Sequence, residues 1–223
     1  MCCNTDNLTY GAASRFLRKN SVKLYYSPGA CSLSPHIVAR EAGLNVDLVK
    51  TDLKTKQFDG GGDFTAVNSK GYVPALQLDD GQVLTEGPAI IQYLADQKPD
   101  AGLVPKAGTM ERYRLQEWLN YITSELHKSF SPLFNPATTP EARDAAKAYL
   151  DKRFGYVAQQ LEGKSYLMGE KFSVADAYLF TVANWGQWVG VDLAQWPNVK
   201  AHHARVAARP KVQETLKAEG LLK

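Results

Sequence analysis

The pattern of apolar and polar residues divides the chain into two different halves. In the first half, short segments such as Val22–Tyr26, Val46–Thr51 and Val73–Leu78 alternate apolar with polar residues or end at glycine and proline. This pattern is typical of β-strands, whereas apolar residues at three- and four-residue steps are typical of helices. The predicted order is β-α-β-loop-β-β-α, which is a small sheet with helices packed on it.

Helix-capping residues predict where the helices of this half begin and end. Ser34 and Pro35 would begin the first helix, because serine is favoured at the cap and proline in the first turn. Gly43 would end it. A second helix is predicted from about residue 87 to residue 97, with apolar residues at core spacing.

The second half shows no convincing strand and reads as a helical bundle. Apolar residues recur at helical steps from Leu115 to Leu133, which predicts one long helix with a single apolar face. Further helices are predicted over 140–161 and 173–189, and Pro197 and Pro210 would begin two shorter ones.

Charge supports a division into two domains. Residues 22–102 are net acidic and residues 103–223 are net basic, and the breaker cluster Lys98–Gly102 separates them. Residues 1–21 hold basic and polar residues without an apolar run, so we predict a disordered tail there. The domains predicted are therefore 22–102, mixed α and β, and 103–223, all helical.

Composition excludes several classes of function. A net charge of +3 over 223 residues is too small for a dedicated nucleic-acid binder, and no apolar run is long enough for a membrane helix. Three cysteines, two of them adjacent in the tail, allow neither a disulfide framework nor a zinc cluster. We therefore predict no metal and a reducing compartment, the cytoplasm.

Cys31 is the cysteine most open to a chemical role. It follows a predicted strand and turn and stands just before a helix, whose N-terminal N–H groups favour a thiolate. The spacing to Ser34 is Cys-x-x-Ser, so disulfide chemistry would need an outside thiol. The alternative is a small buried apolar residue, the commonest fate of a free cysteine.

Two further segments suggest a binding edge. A cis bond at Val73-Pro74 would turn the Val73 backbone outward for an extended peptide, although an ordinary trans proline is the more frequent case. Glu86 and the Gly87 N–H, at a strand-to-helix junction, could receive an ammonium and a carboxylate group. The alternative for Glu86 is a solvated acid near a helix start.

On the long predicted helix, Asn120 and His127 are seven residues apart, which is almost two turns, so they would share a polar face. This face could be the wall of a cleft or a solvent-exposed surface.

Asp176 follows Ser173 by three residues ahead of an apolar run, which predicts a capping box rather than a catalytic acid. Trp185 and Trp188, near this helix, are predicted core residues.

In combination, these segments resemble the cytosolic glutathione S-transferases, and most closely the bacterial beta class. The resemblance covers about residues 22–223. Its motifs are Tyr-x-Pro-Gly-Ala-Cys-Ser-Leu from Tyr26, Asn-x-Lys-Gly-x-Val-Pro-Ala-Leu from Asn68, Leu-Thr-Glu-Gly-x-Ala-Ile from Leu84, and Ser-Val-Ala-Asp-Ala-Tyr-Leu-Phe from Ser173. It implies a thioredoxin-like N-terminal domain that binds glutathione and an all-helical C-terminal domain that builds the electrophile site.

The resemblance also implies roles for single residues. Cys31 matches the cysteine that contacts the glutathione sulfur and forms a mixed disulfide with it. Val73, before Pro74, matches the residue that pairs with the cysteinyl part of glutathione. Glu86 and Gly87 match the pair that holds the γ-glutamyl group, although many relatives have serine where Gly87 stands.

Other matches complete the implied site. Lys56 matches a lysine near the glycyl carboxylate, and Asn120 and His127 match helical residues that reach into the site. Tyr26 and Ser32 stand where other classes activate the glutathione thiol, so they are secondary candidates beside Cys31.

The function implied is conjugation of glutathione, as co-substrate, to hydrophobic electrophiles by a homodimeric detoxification enzyme. Thiol-transferase or peroxidase-like activity through a Cys31–glutathione mixed disulfide is implied as well. The alternative is a non-catalytic binding or stress-partner protein that keeps the same scaffold. The sequence leaves open which electrophile is used and whether conjugation or reduction dominates.

Overall fold

Four short strands form one mixed sheet in the first half of the chain. The computed structural model describes residues 22–222, so the predicted tail 1–21 lies outside the described residues. The strands are β1 (Lys23–Tyr26), β2 (Asp47–Lys50), β3 (Ala75–Gln77) and β4 (Val83–Thr85), in the order β2-β1-β3-β4. β1 and β2 run parallel, and the other pairs are antiparallel. This agrees with the strands predicted from alternation.

Three helices accompany the sheet. They are α1 (Leu33–Glu41), α2 (Phe64–Val67) and α3 (Gly87–Asp96). α1 begins before the predicted Ser34, with Ser32 at its cap position, and it ends before Gly43, whose φ of 65° suits a glycine. α2 was not predicted, because a single helical turn is too short to show periodicity.

The second half is helical throughout. Its α-helices are α4 (Met110–Tyr121), α5 (Ser131–Phe134), α6 (Pro140–Gln160), α7 (Val174–Asn184), α8 (Gly186–Val189), α9 (Pro197–Ala207) and α10 (Pro210–Ala218). The segment predicted as one helix over 173–189 is interrupted at Trp185, which ends α7. An α/β first half followed by an all-helical second half confirms this part of the predicted fold class.

The helix that begins with α4 changes its geometry halfway along. Residues Ile122–His127 form a π-helical stretch and Lys128–Phe130 a 3₁₀ turn before α5. The Lys128 N–H accordingly bonds the carbonyl of Thr123, five residues back. In this stretch, residues five apart therefore lie on the same side of the helix. The residues that follow consequently lie on a different side from the one predicted for a regular α-helix.

One apolar cluster joins both halves. It includes buried residues of the sheet domain, such as Ile37 and Ile91, and of the helical part, such as Leu119, Phe154 and Val182. α1 lies at the centre, because it packs against α3, α7 and α10. The limits 22–102 and 103–223 stay a prediction, since this shared cluster marks no boundary.

The predicted capping box at the start of α7 is present. The Asp176 carboxylate accepts hydrogen bonds from the Ser173 N–H at 2.8 Å and its hydroxyl at 2.7 Å. It also accepts from the Leu167 N–H and contacts His202 Nε2 at 2.9 Å. Asp176 is fully buried and serves the fold rather than a cleft. Within 22–222, no helix is long and apolar enough to span a bilayer.

Candidate active site

Two cavities adjoin at Cys31, between the sheet domain and the helical part. The first, of about 270 Å³, lies between the Val73 and Glu86 segments on one side and His127 on the other. The second, of about 390 Å³, is lined by residues 27–31 and by several aromatic rings of the helical part. Cys31 and His127 line both. We call the first the thiol cavity and the second the aromatic pocket.

Six of the ten predicted site residues line the thiol cavity, and four do not. Those that line it are Cys31, Val73, Pro74, Glu86, Gly87 and His127. Those that do not are Tyr26, Ser32, Lys56 and Asn120. The cavity also holds residues that the sequence interpretation did not select, namely Tyr72, Pro88, Thr123, Lys128 and Tyr178.

The Cys31 side chain is held against the Val73 segment. Its Sγ–H donates a hydrogen bond to the Val73 carbonyl oxygen at 3.1 Å. Burial raises the pKa of the Cys31 thiol to about 12, although the N–H groups of Cys31 and Ser32 and the charge of Lys128 act to lower it. In the protein alone, desolvation of the half-buried Cys31 side chain therefore opposes the thiolate that the helix terminus is expected to favour. The group at this position is a thiol donor.

Ser32 and Tyr26, the secondary candidates, have structural surroundings. The Ser32 hydroxyl donates to the Ser27 carbonyl at 3.2 Å and accepts from the Ser27 N–H at 3.1 Å, and the residue is fully buried. It closes the turn that carries Cys31. Tyr26 is buried in the apolar cluster, where burial raises the pKa of its phenol. Neither hydroxyl is placed to contact a ligand in the thiol cavity.

The Val73 segment forms one wall of the thiol cavity. The Val73-Pro74 peptide bond is cis, the less frequent of the two geometries considered from the sequence. Lys56 lies beside this wall rather than in it, and its Nζ donates to the Gly71 carbonyl at 2.8 Å. A ligand that extends past Val73 towards Gly71 would reach the Lys56 ammonium.

Glu86 and Gly87 form the polar end of the thiol cavity. Gly87 begins α3, so its N–H is one of the unpaired donors of a helix start. The Glu86 carboxylate accepts hydrogen bonds from Lys70 Nζ and from the Tyr72 hydroxyl, the latter at 2.9 Å. The hydrogen bond from Lys70 lowers the pKa of Glu86, which is therefore ionised at neutral pH.

The backbone at Glu86 supports a special role for this junction. Its φ is 70°, in the left-handed region that residues other than glycine rarely adopt. Such strain persists only where surrounding structure enforces it, and it is concentrated at binding and catalytic sites. Lys70 and Tyr72 were not selected from the sequence, because their contacts with Glu86 cross 14 to 16 residues of loop and strand.

The helical wall differs from the prediction at Asn120. Asn120 is exposed and does not line the cavity, because the π-helical stretch after α4 rotates the face that follows. Thr123, His127 and Lys128 line it instead. The predicted polar stripe therefore reaches the cavity only through His127, and a binding role for Asn120 stays a prediction without support from its position.

His127 is paired with Tyr178. Its Nδ1 lies 2.7 Å from the Tyr178 hydroxyl, and Thr123 donates to that hydroxyl at 3.4 Å. Burial, and then Lys128, lower the pKa of His127 to about 4, so the imidazole is neutral near pH 7. Burial also raises the pKa of Tyr178. Tyr178 was missed because its helix α7 is mostly apolar and buried on every face, so no polar stripe marks it.

Aromatic rings from the helical part form one part of the wall of the aromatic pocket. Phe130, Phe134, Trp185 and Trp188 line it. Trp185 Nε1 donates to the Gly29 carbonyl at 2.9 Å, which joins the helical part to the Cys31 loop. Trp188 is half exposed, so its predicted place in the core is wrong, whereas Trp185 is both buried and part of the wall.

No group of three metal-ligating side chains occurs among residues 22–222. The chemistry available from the described cleft is that of a half-buried thiol, a neutral imidazole, an ionised carboxylate and helix N–H donors. The carboxylate and the helix N–H donors suit a ligand with an ammonium and a carboxylate group, and the aromatic rings suit an apolar compound.

Comparison with known proteins gives consistent matches over both halves. Residues 29–97 match the model of the glutathione S-transferase N-terminal domain, and residues 121–210 match that of the C-terminal domain. The chain is 49% identical over 200 residues to the glutathione S-transferase GstA of Escherichia coli O157:H7, covering 90% of the chain and all of the relative.

Solved structures agree with the sequence matches. A ternary complex of BphK, a bacterial glutathione S-transferase, superposes with a TM-score of 0.88 at 59% identity, covering 89% of this chain and all of that one. The beta class glutathione S-transferase of Sphingomonas chungbukensis gives a TM-score of 0.87 at 50% identity, covering 90% of this chain and all of that one.

Proposed function

The chain belongs to the glutathione S-transferase family, in its bacterial beta class, and from that premise we propose that the thiol cavity binds glutathione and the aromatic pocket binds its electrophile. The enzyme is a glutathione transferase with the thioredoxin-like and helical domains of that fold. The observation that carries the site assignment is the 3.1 Å contact between Cys31 Sγ and the Val73 carbonyl, within a cavity that ends at Glu86 and Gly87.

The polar end of the cavity fits the γ-glutamyl group. A carboxylate can accept about four hydrogen bonds, and Glu86 uses two of them for Lys70 and Tyr72. It therefore keeps capacity for an ammonium group. The Gly87 N–H at the start of α3 suits a carboxylate, because helix N-termini stabilise anions. The glycyl carboxylate at the other end would approach Lys56.

This orientation places the glutathione sulfur at Cys31. The protonated Cys31 thiol can donate a hydrogen bond to a glutathione thiolate once the sulfur displaces the Val73 contact. Lys128, which lines the same cavity, adds positive charge that favours the thiolate. The neutral His127 serves better as a hydrogen-bond donor than as a base, because its pKa is about 4.

Conjugation then proceeds in the cleft between the two cavities. The glutathione thiol releases its proton to solvent water, and the thiolate attacks the electrophilic carbon in the aromatic pocket. A carbon–sulfur bond forms, and the bond to the leaving group breaks, so that a halide, for example, departs with the electron pair. The aromatic walls at Phe130, Phe134 and Trp188 favour flat apolar electrophiles.

Thiol exchange at Cys31 is a second activity that we propose. A Cys31 thiolate would attack the glutathione sulfur of a mixed disulfide and release the other thiol, and a second glutathione would then resolve the Cys31 adduct as oxidised glutathione. A pKa of about 12 leaves little Cys31 thiolate at neutral pH, so this route is slow there and becomes faster as the pH rises. In peroxide reduction, the Cys31 thiolate would take one oxygen from the peroxide, which leaves as an alcohol, and become a sulfenic acid. One glutathione would convert the sulfenic acid to the Cys31 adduct with loss of water, and a second would release oxidised glutathione and the Cys31 thiol.

Exchange is tested by incubating the protein with oxidised glutathione and measuring its mass. Cys2 and Cys3 are replaced by serine so that the mass reports Cys31. We expect a reductant-sensitive adduct of one glutathione that forms faster at higher pH. Its absence up to pH 10 would exclude the mixed disulfide.

Assembly and location follow the family. We infer a homodimer that works in the cytoplasm, where glutathione is kept reduced. Large exposed side chains on α4, Met110 and Tyr113, are available for a subunit contact. Sedimentation equilibrium tests the dimer, and a mass of one chain at micromolar concentration would contradict it.

Retention on immobilised glutathione, combined with turnover of a chlorinated nitroaromatic, tests the main proposal. We expect both retention and turnover. The scaffold-only alternative predicts retention without turnover, and loss of both would contradict the assignment of the thiol cavity. Replacing Cys31 by alanine is expected to reduce thiol exchange more than conjugation.

A further inference from the structure

The loop 68–72 contacts Glu86 at the polar end of the thiol cavity. Asn68 is buried, and its side chain bonds the backbone at two points of this loop. Its Oδ1 accepts a hydrogen bond from the Lys70 N–H at 3.2 Å, and its Nδ2 donates to the Tyr72 carbonyl at 2.8 Å. These bonds fix the backbone from which the Lys70 and Tyr72 side chains reach Glu86.

Both side-chain contacts on Glu86 fall on the same carboxylate oxygen. Lys70 Nζ and the Tyr72 hydroxyl each donate to Oε1, the latter at 2.9 Å. Among residues 22–222, no donor bonds Oε2, and about half of the Glu86 side chain is exposed. Oε2 therefore keeps its full capacity to accept hydrogen bonds from a ligand.

One donor alone would not fix the orientation of this carboxylate. The terminal torsion of a glutamate side chain is broad and roughly two-fold, so the carboxylate group turns easily. An ammonium group can donate to either oxygen, and Lys70 Nζ also donates to Thr85 Oγ1 at 3.0 Å. With Lys70 as its only partner, the Glu86 carboxylate could present either oxygen to it.

Tyr72 supplies the second donor from a rigid side chain. A tyrosine ring has only two side-chain torsions, and the Tyr72 ring lines the thiol cavity. Its hydroxyl and Lys70 Nζ together hold Oε1, which leaves Oε2 as the oxygen turned away from the loop 68–72. The hydroxyl of Tyr72 thus selects which oxygen of Glu86 is free.

We propose that Tyr72 is a positioning residue for Glu86, which holds Oε1 so that Oε2 receives the ammonium group of the γ-glutamyl residue. The proposal rests on the function proposed for the thiol cavity. Recognition of the free amine then depends on a hydroxyl that does not contact the amine. The site should discriminate against peptides that lack this amine, and the discrimination should require the Tyr72 hydroxyl.

Calorimetric titration with two ligands isolates the contribution of the amine. One ligand is S-hexylglutathione, and the other has a glutaryl group in place of the γ-glutamyl group, so that it lacks only the amine. The wild-type protein should bind S-hexylglutathione about tenfold more tightly, because a hydrogen bond between an ammonium and a carboxylate group is charge-assisted.

Tyr72→Phe removes the hydroxyl and keeps the ring. This variant should bind S-hexylglutathione about fivefold more weakly than the wild type, and it should bind the glutaryl ligand as the wild type does. A purely structural role of Tyr72 would weaken both ligands equally. In turnover, the KM for glutathione should rise with kcat unchanged, because the amine takes no part in the bond that forms.

Two further variants make the test specific. Tyr156 is 44% exposed, as Tyr72 is, and does not line the thiol cavity, so Tyr156→Phe should bind both ligands like the wild type. Glu86→Ala should bind the two ligands about equally. Adding Tyr72→Phe to Glu86→Ala should have no further effect, because Tyr72 acts through Glu86.

The outcomes separate this proposal from the function on which it rests. If the wild type does not bind S-hexylglutathione, both are overturned. If it does bind, the role of Tyr72 alone is overturned by any of three results. These are equal binding of the two ligands by the wild type, an equal or absent effect of Tyr72→Phe on both ligands, and an effect of Tyr72→Phe that persists in Glu86→Ala.

Discussion

The carboxylate of Glu219 accepts a hydrogen bond at 2.9 Å from the N–H of Gly29, which is 190 residues earlier in the chain. The other carboxylate oxygen lies 2.8 Å from His36 Nδ1, and His36 Nε2 accepts a hydrogen bond from Arg40. Glu219 follows the last helix, α10, and Gly29 belongs to the turn that carries Cys31. The end of the chain therefore helps to position the thiol.

Replacing Glu219 by alanine should destabilise the protein and weaken glutathione binding. The Gly29 N–H and the His36 ring would both lose a buried partner, which costs about 2–4 kcal/mol in free energy of unfolding. Urea denaturation and the KM for glutathione are the measurements. Glu214→Ala, at an exposed position, is the control and should change neither value appreciably. Equal effects of the two variants would contradict the positioning role of Glu219.

The Cys31 thiol should react slowly with iodoacetamide at neutral pH and faster as the pH rises. Its pKa of about 12 means that the thiolate fraction increases about tenfold for each pH unit up to pH 11. The rate is measured by mass spectrometry in a Cys2→Ser, Cys3→Ser background. Lys128→Met should slow the reaction further, because the positive charge of Lys128 lowers the pKa of Cys31. A rate that levels off near pH 8 would mean that the pKa of the Cys31 thiol is at or below its usual value, which would contradict this prediction.

Acidification should destabilise the protein through His127. Its pKa in the folded protein is about 4, below the usual value of 6.5, so the unfolded chain binds a proton more readily. The contribution of the neutral His127 imidazole to the free energy of unfolding is complete above pH 6.5 and is lost as the pH falls from 6.5 to 4. It amounts to at most about 3 kcal/mol.

The measurement is the free energy of unfolding in urea at pH 7.5, 6.0 and 5.0. His203, whose pKa is also lowered to about 4 by burial, contributes in the same direction. His127→Phe and His203→Phe should each flatten the pH dependence, and the double variant should flatten it most. A His127→Phe protein with the wild-type pH dependence would contradict a buried neutral imidazole.

Gly87→Ser should strengthen glutathione binding. A Cβ at Gly87 would meet no atom within 4 Å, so serine fits without a clash. Its hydroxyl adds one hydrogen-bond donor beside the helix N–H, and a hydrogen bond to a charged group contributes about 1.5–3 kcal/mol. The KM for glutathione should fall about tenfold with little change in kcat. Gly155→Ser, in the equally open middle of α6, is the control for added bulk. An unchanged or higher KM for Gly87→Ser would place the γ-glutamyl group elsewhere.

Local sequence patterns were sufficient for most of the fold and for three residues on the sheet side of the site. Cys31, Val73 and Glu86 stand at strand ends or helix starts, and such junctions are marked by glycine, proline and capping residues. The cavity brings these three residues together because their strands are neighbours in the sheet.

The helical wall was harder to predict because its geometry depends on tertiary structure. A π-helical stretch has no clear sequence signal, so the spacing of a regular α-helix predicted that Asn120 lies on the same face as His127. In the structure, Thr123 and Lys128 line the cavity with His127 instead. The protonation state of Cys31 was missed for a similar reason. The helix start is visible in the sequence, but the burial that outweighs it arises only on folding.

A crystal structure of the enzyme with reduced glutathione tests the central claim most directly. We predict the glutathione sulfur within hydrogen-bond distance of Cys31 Sγ, the cysteinyl backbone paired with Val73, and the γ-glutamyl group at Glu86 and Gly87. Glutathione with its sulfur at Tyr26 or Ser32, or bound away from the Val73 segment, would contradict this account.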